Sequence, residues 1–312
     1  MTASPSSNAL PSRAVGPSDR ATPGRTAGRG AVRRRVDLVE AYLRAHGAIA
    51  YLFLYVPIAI VVLYSFNDSR YVLVWGGFSL RWYQAAWTDP QVLNPLKTSL
   101  IVAALNMVCA TTLGTLAALA IVRAPRLVRL AFDALIYTAL IVPEVVVALA
   151  SLLFLNSAFG FLGDVGVRLT FGIPTIVAGH VLWNLSLVIL VVRARMAGMD
   201  RSLIEASQDL FASPWRTFTQ VTLPQLAPAI LAGALLSFTF SMDDVVLSTF
   251  LSGVGSTTLP MRVFSMIRFG VTPAVNAISA VMLLLTLVVI VVSQWLVRRA
   301  GRPSPAAEAT SG

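Results

Sequence analysis

Residues 98–122 read TSLIVAALNMVCATTLGTLAALAIV, a stretch without one charged side chain. A helix of about twenty residues is long enough to cross the roughly 30 Å hydrocarbon core of a bilayer, with each backbone hydrogen bond made inside the segment. A soluble fold cannot hide several such stretches. Residues 98–122 therefore predict a membrane-spanning helix.

Five further apolar blocks of comparable length follow the same rule, so the chain is predicted to be all-α and polytopic, with about six transmembrane helices. The composition agrees, because 56% of the residues are hydrophobic and only 12% are charged, against about 25% charged residues in soluble domains. The predicted spans are 47–66, 98–122, 130–155, 172–192, 226–250 and 275–297.

The two ends of the chain differ from this membrane domain, which is assigned to residues 47–297. Residues 1–36 are rich in Ser, Pro, Gly, Ala and Arg and show no apolar periodicity, so they cannot bury enough surface to offset the entropy of ordering. Residues 1–46 are therefore predicted to be a disordered basic cytoplasmic tail and lead-in. Residues 298–312 are predicted to be a second cytoplasmic tail.

The basic residues set the orientation. If the N-terminus is cytoplasmic, 18 of the 24 Lys and Arg residues fall on the inner side, as the positive-inside rule requires. Both termini are therefore predicted to lie in the cytoplasm. Topology also explains the net charge of +10, and no nucleic-acid partner is expected. The outer side keeps only Arg70, Arg81, Lys97, Arg168, Arg262 and Arg268.

The longest inner loop, residues 194–225, carries helix start signals. Ser202 and Glu205 have the spacing of a capping box, in which each side chain satisfies a free backbone amide of the other. A second helix is predicted to start at Ser213-Pro214, with serine as the cap and proline at the first helical position. The same pattern predicts that this helix ends at Leu223-Pro224.

The first of these short helices has an apolar face formed by Leu203, Ala206 and Leu210. Trp215 and Phe218 follow in the second helix. Such a face suits insertion into a groove on a partner protein. It equally suits packing against the chain's own spans or the lipid surface, and the spacing leaves both interpretations open.

Two phrases in this loop, Glu205-Ala206-Ser207 and Val221-Thr222-Leu223-Pro224, resemble the EAA loop of type I ABC importer permeases. Phe78-Ser79-Leu80-Arg81-Trp82-Tyr83, before the second span, is similar to a phrase of the same family. The resemblance implies the type I ABC importer permease fold and a coupling helix that docks into an ATP-binding subunit. The residues assigned to this contact are Ser202, Glu205, Ala206, Leu210, Phe211, Trp215 and Pro224.

Phe211 departs from the family pattern, because a glycine usually stands between the two short helices. Glycine permits a left-handed turn at a helix end, whereas phenylalanine makes that geometry costly. The hinge is therefore expected to be built differently here.

Within the family, the closest resemblance is to polyamine permease subunits. It is carried by Pro143-Glu144-Val145, by Ser241-Met242-Asp243-Asp244 and by residues 252–260, SGVGSTTLP. The resemblance implies import of putrescine or spermidine across the inner membrane of a bacterial cell. It also implies two ATPase subunits, a second permease that is identical or related, and a periplasmic or lipid-anchored substrate-binding protein.

Glu144, Asp243 and Asp244 lie inside predicted spans, where an isolated carboxylate costs about 2.5–3.5 kcal/mol on insertion scales. Counted along continuous helices, Asp243 lies about 25 Å and Glu144 about 22 Å from the inner side. We therefore expect the carboxylates to face one cavity that suits a cargo with several ammonium groups. Trp183 and Phe240 would add cation–π contacts.

An alternative for the acidic residues is purely structural. In this interpretation Asp243 and Asp244 cap a helix or pair at the membrane edge with Arg262 or Arg268, and Glu144 bonds the backbone freed by a proline. Two other polar residues within the spans are expected to have structural roles. Asp133 is predicted to pair with Arg129 one turn away, and His180 is predicted to be a hydrogen-bonded packing residue.

Catalytic and cofactor motifs are missing from the sequence. Lys97 is the only lysine and does not follow a glycine, so no Walker loop exists, and His46 and His180 are too far apart for a zinc-protease motif. Cys109 is the only cysteine, which excludes an internal disulfide. The chain is not expected to be an enzyme or to hold a cofactor or metal, and ATP hydrolysis is expected in a separate subunit.

Other functions stay open from the sequence. An importer of this family for thiamine, a metal chelate or a phosphonate is one, although an anionic solute should meet helix N-termini or arginines instead of carboxylates. A proton-coupled secondary transporter, with Glu144 or Asp243 carrying the proton, is another. A membrane scaffold that transports nothing is the third.

Overall fold

The computed structural model describes residues 27–71, 74–269 and 273–300. Within these ranges every regular element is helical, and one isolated bridge joins Asn67 to Phe78. The first helix begins at Ala27, inside the segment predicted to be an N-terminal tail. The remaining parts of the two predicted tails, 1–26 and 301–312, lie outside the described residues.

The described helices follow one another in a simple order. They are α1 (Ala27–Tyr64), α2 (Arg81–Thr88), α3 (Pro90–Arg123), α4 (Arg126–Ile141), α5 (Glu144–Asp164), α6 (Ile173–Ala197), α7 (Ser202–Asp209), α8 (Pro214–Thr217), α9 (Leu223–Asp243), α10 (Val246–Leu251), α11 (Leu259–Phe269) and α12 (Pro273–Ala300). A five-residue π turn, Phe218–Thr222, joins α8 to α9.

Six stretches of these helices are long and apolar enough to cross a membrane, which confirms the predicted all-α class and number of spans. They are Glu40–Tyr64, Pro90–Arg123, Glu144–Asp164, Ile173–Ala197, Pro214–Asp243 and Pro273–Val292.

Helices α3, α6 and α9 form the centre of the helical core. Small residues let them approach closely, as is usual between helices in a membrane. A Cβ added at Gly114 of α3 would lie 2.7 Å from Val188 Cγ1 of α6, and one at Gly233 of α9 would lie 3.4 Å from the same atom. Val188 is fully buried between them. Any larger residue at position 114 would force α3 and α6 apart.

A second apolar cluster joins α3, α5, α6 and α10. Val102, Ala148, Ile176, Leu247 and Leu251 are all buried in it. This cluster fixes the short helix α10 against α5 and α6, so the break between α9 and α10 is held at a defined place. Its position determines where the acidic residues of α5 and α9 meet.

Two predicted spans are interrupted in the structure. The stretch 130–155 is not one helix, because α4 ends at Ile141 and α5 starts at Glu144. Val142 and Pro143 are extended, with ψ of 131° and 135°, since proline lacks an N–H and disfavours the helical region for the residue before it. Likewise 226–250 is interrupted, because α9 ends at Asp243.

Local pairing of Asp133 was predicted wrongly as well. Its carboxylate pairs with Arg193 of α6 instead of Arg129. Arg129 donates to the backbone carbonyl oxygens of Val122 and Ala124, at 2.7 and 3.4 Å. Arg129 therefore closes the end of α3, where helical carbonyls lack partners, and Asp133 ties α4 to α6.

Candidate functional site: an acidic cavity between interrupted helices

A cavity of about 380 Å³ lies where two helices are interrupted. Glu144 is the first residue of α5, after the break at Pro143, and Asp243 is the last residue of α9. Each carboxylate therefore stands at a helix end instead of the middle of a continuous helix. The depth calculated for Glu144 along an unbroken helix therefore does not apply, but the structure still brings the carboxylates to one cavity.

The structure brings the predicted pathway residues around this one cavity. Its walls include all five of them: Glu144, Trp183, Phe240, Asp243 and Asp244. Among the described residues that line it there is no Arg or Lys. The charge facing the cavity is therefore predominantly negative.

The carboxylate of Glu144 lies close enough to Asp243 and Asp244 to interact with both electrostatically. Like charges gathered in a site of reduced dielectric repel each other more strongly than in water. Such a cluster gains stability when a cation enters between its members. Glu144 is partly buried and Asp243 is exposed to the cavity, so both are accessible to a solute.

Asp244 differs from Asp243, its neighbour in sequence, because it is 8% exposed and makes several hydrogen bonds. Its carboxylate accepts from the backbone N–H of Ser248 at 2.8 Å and of Leu247 at 3.4 Å. It also bonds the Nε2 of His180 at 3.1 Å. Asp244 thus caps the start of α10 and ties it to α6.

This arrangement matches the structural alternative for Asp244, with a different partner from the ones expected. Asp244 pairs with His180, whereas Arg262 contacts the side chain of Gln91. Asp243 makes no such cap. Both aspartates line the cavity, but Asp244 is buried in a hydrogen-bond network whereas the side chain of Asp243 is exposed.

His180 is the centre of that network and is 1% exposed. Its Nδ1 lies 2.7 Å from Ser241 Oγ, and its Nε2 lies 3.2 Å from Ser248 Oγ as well as close to Asp244. These contacts join α6, α9 and α10 at the point where α9 stops. The prediction of a hydrogen-bonded packing residue is confirmed, with the addition that His180 holds a cavity carboxylate in place.

Two aromatic side chains form part of the cavity wall. Trp183 of α6 is partly buried and also packs against the cluster of α3, α5, α6 and α10. Phe240 lies on α9, one turn before Asp243, and is half exposed. Ring faces next to carboxylates suit an organic cation, since the ring quadrupole attracts positive charge.

The second candidate region is the 194–225 segment. Its first helix α7 starts at Ser202, as expected, but the capping box is wrong. Asp200 supplies the cap: its carboxylate accepts from the Ser202 N–H at 2.9 Å and the Ser202 hydroxyl at 2.7 Å. These hydrogen bonds lower the pKa of the Asp200 carboxyl. Glu205 and Ala206 are exposed on the same helix.

Phe211 occupies the hinge between α7 and α8 in the left-handed conformation, with φ of 57°. Ala212 N–H donates to Ser207 O at 3.0 Å, and Phe211 N–H donates to Gln208 O at 2.9 Å, which is the Schellman pattern that glycine usually completes. The expectation of a different hinge is therefore wrong. The turn keeps the glycine geometry, and phenylalanine tolerates it with strain of about 1–2 kcal/mol.

The apolar residues of the hinge face away from the rest of the chain. Phe211 is 97% exposed, Leu210 82% and Trp215 72%. Water does not favour so large an apolar patch, and on a soluble surface it marks an interaction site. Packing of Leu210 and Phe211 against the chain's own spans is excluded by these exposures.

The second half of the segment is continuous with a span. Ser213 caps α8 as predicted, and its hydroxyl accepts from the Arg216 N–H at 3.4 Å. The predicted stop at Leu223-Pro224 is wrong, because helix runs from Pro214 to Asp243. The π turn ends at Thr222, and Pro224 is the second residue of the next helical section. The missing N–H of Pro224 therefore falls where the hydrogen-bond register changes.

Comparison with known proteins agrees with this arrangement. Residues 110–302 match the family model described as binding-protein-dependent transport system inner membrane component. The chain belongs to this family.

Named relatives of the permease cover most of its length. It is 40% identical over 256 residues to the putrescine transport system permease protein PotI of Escherichia coli (strain K12), covering 81% of this chain and 89% of PotI. It is 36% identical over 251 residues to the spermidine/putrescine transport system permease protein PotC of Haemophilus influenzae, covering 80% of this chain and 94% of PotC.

A solved structure supports the fold. The permease superposes on a chain of a bacterial ABC transporter involved in the import of the acidic polysaccharide alginate with a TM-score of 0.72. The two chains are 17% identical, and the match covers 88% of this chain and 100% of the other. The predicted family and permease fold are confirmed.

Sequence reasoning missed two residues of the permease that the structure makes prominent. Asp200 was overlooked because Ser202 and Glu205 offered a familiar motif two residues later. Asn184 was overlooked inside an apolar span, although it follows His180 by four residues and so lies on the same helix face. Two polar residues at this spacing within a span are a usable signal for a cavity wall.

Proposed function

We propose that this permease forms the translocation path for a polyamine, putrescine or spermidine, in an ATP-driven importer. The observation that carries the proposal is the cavity in which Glu144, Asp243 and Asp244 meet without a neighbouring Arg or Lys among its described lining residues. A polyamine carries several ammonium groups, and its charge is complementary to this wall. The names of the relatives PotI and PotC support the same cargo.

The fold does not decide the cargo. A structure with the same fold belongs to an importer of an acidic polysaccharide, which has the opposite charge. The side chains at the interrupted helices are therefore the feature that distinguishes an importer of cations.

The energy source is proposed to act through the 194–225 segment. Its exposed apolar residues Leu210, Phe211 and Trp215 suit a groove on an ATPase subunit, with Glu205 and Ala206 at the same contact. We place this segment, and both termini, on the cytoplasmic side of the inner membrane. Two ATPase subunits, a second permease and a substrate-binding protein complete the assembly.

Alternating access follows from this arrangement. Movement of the ATPase subunits is transmitted through α7 and α8 into the rod Pro214–Asp243, which ends at the cavity. One continuous helix thus links the proposed motor contact to Asp243. Closure of the ATPase subunits would tilt the helix Pro214–Asp243 and change the side of the membrane to which the cavity opens.

The experiment is ATP-driven uptake of tritiated putrescine into proteoliposomes that hold the complete assembly. We expect uptake with all subunits and ATP, and none when the ATPase subunits are omitted. Uptake of an anionic solute in place of putrescine would overturn the cargo. Uptake by this chain alone, driven by a proton gradient, would establish a secondary transporter instead.

A further inference from the structure

Asn184 is a buried polar residue in the middle of α6, and it lines the cavity that holds Glu144 and Asp243. It is 2% exposed. Polar side chains inside a span are rare and are usually bonded to a partner. If both ends of the Asn184 amide had partners within the chain, its role would be structural alone.

Only one end of the Asn184 amide is satisfied. Its Nδ2 donates to the backbone carbonyl oxygen of His180 at 2.9 Å. A carbonyl oxygen only accepts, so this bond fixes which end of the amide is nitrogen. The Oδ1 atom is buried and has no hydrogen-bond partner among the described residues.

An unpaired buried acceptor is unfavourable, because it has lost its bonds to water without replacement. Asn184 lines the cavity, so a donor that enters the cavity can satisfy this carbonyl. When ionised, carboxylates such as those of Glu144 and Asp243 accept hydrogen bonds and do not donate them. They do attract a donor that carries positive charge.

We propose that Asn184 Oδ1 accepts a hydrogen bond from a primary ammonium group of the cargo and selects such groups against quaternary ones. This inference rests on the proposed import of polyamines. A primary ammonium has three N–H donors, as in lysine, so it can bond Asn184 and a carboxylate at once. A quaternary ammonium has the same charge and no N–H, so it leaves Oδ1 unpaired.

The presence or absence of an N–H donor determines how strongly the site distinguishes primary from quaternary ammonium. A site built to bond an N–H discriminates strongly against an analogue that lacks it, because its own buried group is then unsatisfied. Carboxylates and aromatic rings alone would bind both kinds of cation. Selectivity between the two is therefore a property of the carbonyl oxygen.

The test measures binding of tritiated putrescine to the nanodisc-embedded assembly without the binding protein, with competition by its hexamethylated bis-quaternary analogue. We expect the native complex to prefer putrescine. Asn184→Leu removes the acceptor and should weaken putrescine binding about tenfold, while binding of the analogue stays the same. Equal weakening of both ligands, or of neither, would overturn the role of Asn184.

A second variant keeps the experiment informative if the leucine variant fails to assemble. Asn184→Ser should keep a hydrogen bond to the His180 carbonyl, since serine bonds the carbonyl four residues earlier in a helix. Its shorter side chain withdraws the acceptor from the cavity. The same selective loss of putrescine binding is expected, and unchanged selectivity would contradict the proposal.

Asn106 provides a matched control. It is also buried, its Nδ2 donates to a backbone carbonyl, that of Ser237, at 2.9 Å, and its Oδ1 has no partner among the described residues. It does not line this cavity. Asn106→Leu should leave the preference unchanged. Absence of binding of either cation by the native complex would instead remove the proposed function itself.

Discussion

The acidic cavity and the 194–225 segment are both built at helix interruptions, but they expose opposite chemistry. At the cavity, Pro143 and the end of α9 place carboxylates among apolar spans. At the segment, the left-handed Phe211 places apolar side chains in contact with water. The carboxylates lie among apolar helices and the apolar side chains lie in water, so neither set is in favourable surroundings. We propose that both sites are completed from outside the chain, one by a cation and one by a protein.

The largest expected effect comes from removing charge at the cavity. Asp243→Asn and Glu144→Gln should each lower the rate of putrescine uptake at least about tenfold, because two unit charges 4 Å apart attract by about 4 kcal/mol at an effective dielectric of 20. Initial rates in proteoliposomes measure this. Asp164→Asn, at the exposed far end of α5, is the control and should transport normally. Unimpaired uptake by both cavity variants would assign the cavity a structural role.

Substitutions at the two adjacent aspartates should differ in their effect on the free energy of unfolding. Asp244→Asn disturbs a buried acceptor with bonds to His180 and Ser248, so the free energy of unfolding should fall by about 1.5–3 kcal/mol. Asp243→Asn should leave it nearly unchanged. Thermal unfolding of the purified assembly gives both values. If Asp243→Asn destabilised the protein as much, the division of roles between them would be wrong.

At the hinge, strain and docking can be separated by two substitutions. Phe211→Gly should relieve about 1 kcal/mol of strain and slow hydrogen exchange in 202–217 of the isolated permease, because glycine adopts positive φ freely. Phe211→Ala keeps most of the strain. Both lose the ring, so both should retain less ATPase subunit on copurification.

Copurification of the two Phe211 variants can also contradict the docking proposal. If both variants kept the full amount of ATPase, the exposed phenylalanine would not be a contact. Leu203, which is half exposed on α7, offers a comparison by Leu203→Ala, with a smaller loss expected because less of its surface is free.

The smallest expected effect is the pH dependence of the α7 start. Hydrogen bonds from Ser202 lower the pKa of Asp200 in the folded state. A lowered folded-state pKa means that the stabilisation is present above the ordinary aspartate range and is lost as pH falls through the folded value. Protection of the Ser202 amide should drop at acidic pH in the native chain. Asp200→Asn should remove that dependence, and a native-like pH profile in this variant would exclude Asp200 as its source.

Several elements could be predicted from local sequence alone. The spans follow from stretches such as 98–122, because apolar length is a property of consecutive residues. Ser213-Pro214 likewise gives the start of α8. Two predictions failed because a nearby residue changed the local structure. Asp200, and not the Ser202–Glu205 capping box, caps the start of α7. Pro143 interrupts a helix within an apolar block that hydropathy treats as uniform.

The sequence by itself determined that this is an all-helical membrane protein with six spans, because the bilayer acts on each segment separately. It also provided the acidic residues and the apolar loop. Only the tertiary structure decided that Asp244 belongs to the network of His180 while Asp243 faces the cavity, and that the carbonyl of Asn184 is left unpaired there. Those assignments depend on contacts between α5, α6, α9 and α10, and residues far apart in the chain meet only when the helices pack.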